Sequence, residues 1–290
     1  MKKILFFFTL IHLCYASDTL TFFIAADTHV GRNQLDNNEA VNRATAEDMN
    51  ALPGTEFPSG DIVEEPEGLL IAGDLTGVNP IHWTGYWLGR WIDGFDQLFP
   101  VDGQGICRFP TYEGYGNHDY EKDNVGILAG IYLRNLCRKT PVNTSENGLH
   151  YSWDWKGIHF INLNLYPGNE GYAEHSLDFL KHDLAHNLKN IEQPVIIYHH
   201  YTYSDNENSW TLEEREQAYE VMKGNNIIAI FVGHRHTVHH KIWKDIDVYY
   251  VPETGHDQEY YVCRVRNNKL TINRRKNGQW NGYWSKIFNQ

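Results

Sequence analysis

The chain has 290 residues and a formal net charge of -12 at pH 7, with 41% hydrophobic and 21% charged residues. The apolar fraction is large enough for a sizeable core, which excludes a disordered chain, and the length allows one domain or two small ones. Because nucleic acids and anionic lipid surfaces are themselves negative, the acidic balance argues against a nucleic-acid polymer or an anionic lipid surface as the partner.

The first element is an apolar stretch at the amino terminus. Residues 1–17 read MKKILFFFTLIHLCYAS, in which two lysines precede an apolar run and the small residue Ala16. This order is typical of a secretory signal peptide, and removing its two lysines changes the net charge from -12 to -14. A signal anchor is the alternative, although this run, like every later one, is shorter than the roughly 20 residues that span a membrane. We therefore expect a secreted protein, or one in a secretory-pathway lumen such as a lysosome-like compartment.

Short apolar runs alternate with helical patterns along the rest of the chain. The strand candidates each end in a polar, glycine-containing corner and cover residues 19–26, 68–73, 109–119, 194–200 and 226–236. The helix candidates between them cover residues 36–49, 83–98, 125–137, 176–188 and 211–222. Strands that alternate with helices favour α/β organisation.

Two segments break this alternation and predict antiparallel hairpins. LHYSWDWKGIHFINLNL (149–165) turns at Lys156 and Gly157, and YYVCRVRNNKLTINRR (260–275) turns at a pair of asparagines. The chain has no internal repeat, no low-complexity tract and no long linker. A single domain over residues 18–290 is therefore the simplest organisation.

The expected compartment predicts covalent modification of two cysteines and of one asparagine. Without the signal peptide three cysteines remain, and in an oxidising lumen Cys107 and Cys137 could pair, leaving Cys263 free. Such a disulfide would contribute roughly 3–4 kcal/mol in the chain-entropy model. The triplet NTS at Asn143 predicts N-glycosylation if the host is a eukaryote.

The strand ends carry side chains that bind metals. The residues in question are Asp27, His29, Asp74, Asn117, His199, His234 and His236. In open α/β sheets the functional crevice lies at the carboxyl ends of the strands, so residues distant in sequence meet there. Imidazole, carboxylate and amide groups without thiolate suit Zn, Mn or Fe in an open catalytic site, and Asp74 could bridge two ions roughly 3.5–4 Å apart.

The motifs DTH, GD, GNHD, YHH and GHRH, in this order, closely resemble the calcineurin-like metallophosphoesterase family. The chain is similar to secreted members of the purple acid phosphatase and phosphodiesterase type. The resemblance implies an α/β fold, with a two-sheet β-sandwich flanked by helices in four layers (α-β-β-α), antiparallel strands at the C-terminus, and a dinuclear metal centre between the sheet ends.

The resemblance also implies roles for individual residues. It assigns one ion to Asp27, His29, Asp74 and His236, and the other to Asp74, Asn117, His199 and His234. His118 would face the substrate and protonate the leaving oxygen, and Asp119 would orient its ring.

The sequence departs from the common family pattern in two places. The fourth motif is followed by YTYSD, so the choice of His199 over His200 depends only on the first histidine being the usual ligand. The segment after Asp74 is LTGVNP, without the aspartate or asparagine that some members carry.

The resemblance implies a metal-dependent phosphoesterase, either a phosphatase or a phosphodiesterase, that uses a metal-bridging hydroxide. We expect a small-molecule or lipid-head-group phosphoester as substrate, and a monomer. A nuclease is the alternative within the family, because DTHVG also resembles its DNA-repair exonuclease branch, but the signal peptide and the acidic charge argue against it. A catalytically inactive, metal-binding secreted protein is the alternative outside enzymes.

Overall fold

The computed structural model describes residues 19–31, 38–77, 94–120, 125–140, 142–164, 175–203 and 211–289. The predicted signal peptide and most of the predicted helix 83–98 lie outside these residues. None of the helices within them has the length and apolar character that a membrane span requires.

The described residues form two mixed sheets. The first sheet contains β1 (Leu20–Ala25), β2 (Leu69–Ile71), β3 (Thr111–Glu113), β11 (Glu259–Arg266), β12 (Lys269–Lys276) and β13 (Gln279–Ile287). Its strand order is β13-β12-β11-β1-β2-β3, with β1, β2 and β3 parallel and the C-terminal strands antiparallel.

The second sheet has seven strands. They are β4 (Asn143–Thr144), β5 (Tyr151–Trp155), β6 (Ile158–Asn162), β7 (Val195–His199), β8 (Ile227–Val232), β9 (His239–Trp243) and β10 (Ile246–Tyr250). The order is β4-β5-β6-β7-β8-β10-β9, in which β6, β7, β8 and β10 are parallel.

Helices connect the strands. They are α1 (Asn38–Ala51), α2 (Asp96–Leu98), α3 (Asn117–Tyr120), α4 (Val125–Cys137), α5 (Ser176–His186), α6 (Leu212–Met222) and α7 (Thr254–Asp257). The predicted helix 125–137 is confirmed at both ends. At the start of α6, Thr211 and Glu214 form a capping box, because the Thr211 side chain accepts from the Glu214 amide and the Glu214 carboxylate accepts from the Thr211 amide.

The two sheets face each other across an aromatic core. Successive side chains of β1 point to opposite faces, so Phe22 packs between the sheets and Phe23 packs under α1 and α4. Phe22 meets Phe160 of the second sheet edge to face, with ring centroids 5.2 Å apart. The outer face of the second sheet packs against α5 and α6 through residues such as Leu180 and Met222. These layers confirm the predicted two-sheet sandwich flanked by helices.

Both predicted hairpins are present. The turn residues Lys156 and Gly157 have φ angles of 44° and 85°, and Asn267 and Asn268 have φ angles of 50° and 56°. Positive φ at both central residues is the geometry of the two-residue hairpin turn that matches the twist of the flanking strands. In the second case the chain continues into β13, which the sequence did not predict.

The predicted disulfide is not formed. Cys107, Cys137 and Cys263 are all free thiols. Cys107 is buried in the core under the first sheet, where its Sγ lies 3.9 Å from the Phe109 carbonyl oxygen, whereas Cys137 is exposed at the end of α4. The two side chains therefore occupy different environments. Asn143 is exposed at the start of β4, and its glycosylation stays a prediction.

Candidate metal centre

Five of the residues at the strand ends have a left-handed backbone conformation. The φ angles of Asp27, His29, Asp74, His234 and His236 are 53°, 43°, 50°, 70° and 51°. This conformation costs free energy for residues other than glycine, and such residues cluster at functional sites. Hydrogen bonds between corners hold it, because the Asp27 amide donates to the Gly73 carbonyl at 3.0 Å and the His29 amide donates to the Asp74 carbonyl at 2.9 Å.

The first half of the centre consists of Asp27, His29 and His236, together with Asp74. His236 Nε2 lies 3.1 Å from Asp27 Oδ1 and 3.4 Å from His29 Nε2. His29 Nε2 lies 3.9 Å from Asp27 Oδ1 and 3.8 Å from Asp74 Oδ2. Side chains from three corners thus direct their nitrogen and oxygen atoms at one small volume.

The second half consists of Asn117, His200 and His234, again with Asp74. His200 Nε2 lies 3.2 Å from Asp74 Oδ2 and 3.1 Å from Asn117 Oδ1. His234 Nδ1 lies 3.1 Å from the same Asn117 oxygen. The side chains of Asp74, His200 and His234 each offer a ligand atom within 4.8 Å of the other two.

Asp74 belongs to both halves. Its Oδ2 faces His29 on one side and His200 on the other, while its Oδ1 accepts a hydrogen bond from the His118 amide at 2.9 Å. Asp27 is divided in the same way, because its Oδ2 accepts from the His234 amide at 3.1 Å and its Oδ1 faces imidazoles. Each carboxylate is anchored through one oxygen and offers the other to the centre.

These positions fit metal ions. Two ligands bound at about 2.1 Å to one ion are roughly 3.0–3.5 Å apart. The contacts within the two halves span 3.1–3.9 Å. Asp27 and Asp74 are fully buried, and buried carboxylates are costly unless cations compensate them. Nitrogen and oxygen ligands without thiolate suit Zn, Mn or Fe in a catalytic site.

His200 takes the place in the centre that the sequence assigned to His199. Successive residues of an extended segment point to opposite sides, so only one of the two histidines can face Asp74. His199 Nε2 lies 3.0 Å from the Tyr203 hydroxyl, and burial, together with the charge of His200, lowers the pKa of His199 to about 3. His200 instead places Nδ1 2.9 Å from the Ala72 carbonyl oxygen and Nε2 at the centre. This corrects the predicted ligand set.

His118 lies at the rim of the centre. Its side chain is 30% exposed, whereas those of His29 and His200 are buried. Its Nε2 lies 3.9 Å from Asp74 Oδ2, and its ring meets the His29 ring edge to face. The side chain therefore reaches both the centre and solvent.

Asp119 does not orient His118 as predicted. Its Oδ1 accepts from the Thr76 amide and hydroxyl, and its Oδ2 accepts from the Leu75 and Gly116 amides, at 2.9–3.2 Å. A carboxylate has about four lone-pair positions, and these four bonds occupy them. Asp119 thus ties the segment after β2 to the segment after β3. Burial and the charge of Asp74 outweigh the hydrogen bonds from the backbone amides and raise the pKa of Asp119 to about 7.

Two buried asparagines of α1 support the DTH corner. Asn38 and Asn42 donate to the Thr28 carbonyl oxygen at 3.1 Å and 2.7 Å. They lie at i and i+4 on the buried face of the helix, where apolar residues are the rule. Asparagines repeated at helical spacing on the face that also carries Ala46 and Met49 were the sequence signal that could have identified them.

Several ionisable groups of the centre have strongly shifted pKa values. Burial alone would raise the pKa of Asp74, but the charge and hydrogen bond of His200, with the charges of His29 and His118, hold it below its usual range. The attraction of Asp74 overcomes burial and raises the pKa of His200 to about 9. Hydrogen bonds with Asp27 and Glu253 raise the pKa of His236 to about 10, and burial with the charge of His200 lowers the pKa of His234 to about 4.

The glycine of the GNHD motif leaves no room for a side chain. A Cβ at Gly116 would lie 2.1 Å from Asp74 Oδ1 and 2.6 Å from the Asp74 amide nitrogen. Gly116→Ala is therefore expected to displace Asp74 and to weaken metal binding by about 10–100-fold, as for other residues that position ligands. Metal titration checks this. Gly157→Ala is the control, because it strains a turn residue with φ of 85°, but the added Cβ would have no other atom within 4 Å. Unchanged metal affinity in Gly116→Ala would contradict the geometry.

Residues 20–238 match the family described as calcineurin-like phosphoesterase. The chain is similar to purple acid phosphatase 23 of Arabidopsis thaliana, with 25% identity over 194 residues, which cover 59% of this chain and 41% of that protein. The aligned region thus spans less than half the length of that relative. Among solved structures, GAP50, the anchor in the inner membrane complex of Plasmodium, aligns with a TM-score of 0.60 and 12% identity over 93% of this chain and 89% of that one. That likeness shows a common fold.

Proposed function

Because the chain belongs to the calcineurin-like phosphoesterase family, we propose that it is a secreted phosphoric ester hydrolase that works with two transition-metal ions. The observation that carries this proposal is the position of Asp74 Oδ2, which lies 3.8 Å from His29 Nε2 and 3.2 Å from His200 Nε2. One carboxylate oxygen thereby faces both sets of ligands and is available to an ion on either side, as in a two-ion hydrolytic centre.

The residues already described would hold the ions. Asp27, His29, His236 and Asp74 form one set, and Asp74, Asn117, His200 and His234 form the other. When bound, two such ions polarise the phosphoryl oxygens and make water a nucleophile near neutral pH. Zn, Mn and Fe all suit these ligands.

His118 is the residue that we assign to proton transfer. Its side chain is partly exposed at the rim. The hydrogen bond from the His118 backbone amide to Asp74 Oδ1 fixes the backbone from which the side chain projects. A protonated imidazole in this place can donate to the leaving oxygen of an ester bound over the centre. Asp119 contributes by holding two corners together.

The proposed substrate is a small phosphoester or a phospholipid head group. The net charge of -12 would repel a polyanionic polymer, whereas a small ester can reach the local positive charge of a loaded centre. The proposed compartment is extracellular or the lumen of the secretory pathway, and it depends on the signal-peptide pattern of residues 1–17.

A substrate panel tests the proposal. Metal-replete protein is incubated with nucleotides, sugar phosphates, phospholipid head groups and single-stranded DNA, with and without a chelator. We expect chelator-sensitive hydrolysis of small phosphoesters. Activity confined to DNA would favour the nuclease, and no hydrolysis by metal-loaded protein would favour a metal-binding protein without turnover.

Metal binding is expected to release protons. His200 and His236, with pKa values of about 9 and 10, hold a proton at pH 7 in the metal-free protein and must lose it to bind an ion, whereas His234 at about 4 is already neutral. At least these two protons should therefore leave at pH 7, their release should diminish as the pH rises through about 9 to 10, and the affinity for metal should decrease as the pH is lowered. Calorimetric titration in buffers of different ionisation enthalpy measures this, and buffer-independent heats at pH 7 would contradict it.

A further inference from the structure

Glu253 contacts His236 on the side away from the centre. Glu253 Oε2 lies 2.7 Å from His236 Nδ1, while Nε2 of the same ring lies 3.1 Å from Asp27 Oδ1. An ionised carboxylate only accepts hydrogen bonds, so Nδ1 keeps its proton and the lone pair of the neutral ring belongs to Nε2. The ring is thus presented to the centre in the tautomer and orientation that a metal ligand requires.

The backbone of Glu253 is fixed to the corner that carries Asp27. Ala26 and Glu253 form a parallel bridge, the Thr254 amide donates to the Ala26 carbonyl at 3.0 Å, and the Gly255 amide donates to the Asp27 carbonyl at 3.1 Å. The Glu253 side chain is only 14% exposed. One short segment therefore sets the distance between Asp27 and the carboxylate behind His236.

In the other half of the centre, no carboxylate of the described residues contacts His200 Nδ1 as Glu253 contacts His236 Nδ1. His200 Nδ1 lies 2.9 Å from the neutral Ala72 carbonyl oxygen, and the remaining oxygen ligand is the neutral amide of Asn117. A carboxylate raises the basicity of the imidazole that it accepts from more than a carbonyl does. Asp27 and Glu253 also add negative charge to the first half, which favours a cation there.

We propose that Glu253 is a positioning residue for His236, and that it makes the half built on Asp27 the tighter of two metal sites. This inference rests on the proposed metal centre. Glu253 lies in the C-terminal part of the chain, beyond residues 20–238, which match the family.

Zinc titrations in competition with a chelator test the proposal. Wild-type protein should show two unequal dissociation constants. Glu253→Ala should raise the smaller constant by about 10–100-fold and leave the other unchanged. Glu253→Gln keeps an acceptor for Nδ1 and removes only the charge, so its effect should be smaller. Asp257→Asn is the matched control, because it removes one charge from α7, the short helix that directly follows Glu253, where Asp257 contacts His256 and Lys276.

A second background identifies the affected half. His234→Ala removes a ligand of the Asn117 half only, so the loss caused by Glu253→Ala should persist in that background. Unchanged zinc affinity in both Glu253 variants would overturn the proposal. An equal loss of affinity at both sites, with a lowered melting temperature of metal-free protein, would also overturn it. If Glu253→Ala does not fold, the isosteric Glu253→Gln carries the test. Wild-type protein that binds no zinc would instead reject the metal centre itself.

Discussion

Asp74→Ala is expected to abolish phosphoester hydrolysis and to release both metal ions. Asp74 is the only carboxylate among the described residues whose oxygen faces imidazoles of both halves, at 3.8 Å from His29 and 3.2 Å from His200. Two bound ions supply several kcal/mol of charge stabilisation in the transition state, and about 1.4 kcal/mol corresponds to tenfold in rate. We therefore expect kcat/KM to fall by at least about 10³-fold, with metal content close to zero by elemental analysis.

A surface aspartate provides the control for Asp74→Ala. Asp178 lies on α5 and its side chain is 82% exposed, so Asp178→Ala should retain metal and activity. Circular dichroism of both variants separates loss of the centre from loss of the fold. Retained turnover in folded Asp74→Ala would mean that the catalytic site lies elsewhere.

His118→Ala is expected to separate proton transfer from metal binding. A general acid contributes about 10²–10⁴-fold, and most when the leaving oxygen is a poor leaving group. The variant should keep both ions and hydrolyse a nitrophenyl phosphoester, whose leaving group needs no proton, at a rate close to the wild type. The rate on an alkyl phosphoester should fall by about 10²–10⁴-fold. Steady-state kinetics on the two esters, with metal content measured in parallel, check this.

Other outcomes for His118→Ala would assign a different role. Equal losses on both esters, with metal retained, would indicate that His118 stabilises the phosphoryl group. Loss of metal would make it a ligand, which its Nε2 position 3.9 Å from Asp74 Oδ2 permits after a small movement. His182→Ala, a change of an exposed histidine on α5, should affect neither ester.

Local sequence signals predicted much of the fold. The two-residue turns at Lys156 and Gly157 and at the paired asparagines follow from residues that tolerate positive φ, and α4 follows from a continuous helical pattern. β13 was missed because an edge strand with mostly exposed residues carries little hydrophobic pattern. The free cysteines show that separation along the chain says nothing about where two thiols point.

The sequence also predicted most of the candidate site, because each motif follows an apolar strand. The choice between His199 and His200 could not be made locally, since it depends on which face β7 turns towards the first sheet. Besides the nearby Gly116 amide, the partners of Asp119 are Leu75 and Thr76, which lie 44 and 43 residues away in the segment after β2, so only tertiary structure shows them. Glu253 contacts His236 directly, and its backbone is bridged to Ala26, more than 200 residues earlier in the chain, so local sequence does not show this placement.

The measurement that tests the two-ion centre most directly is a titration of metal-free wild-type protein with Mn²⁺ or Zn²⁺, following bound metal and phosphoester hydrolysis in the same samples. We predict that binding saturates at about two ions per chain and that full activity requires both. Hydrolysis by protein that contains no metal, or full activity at one bound ion, would contradict it.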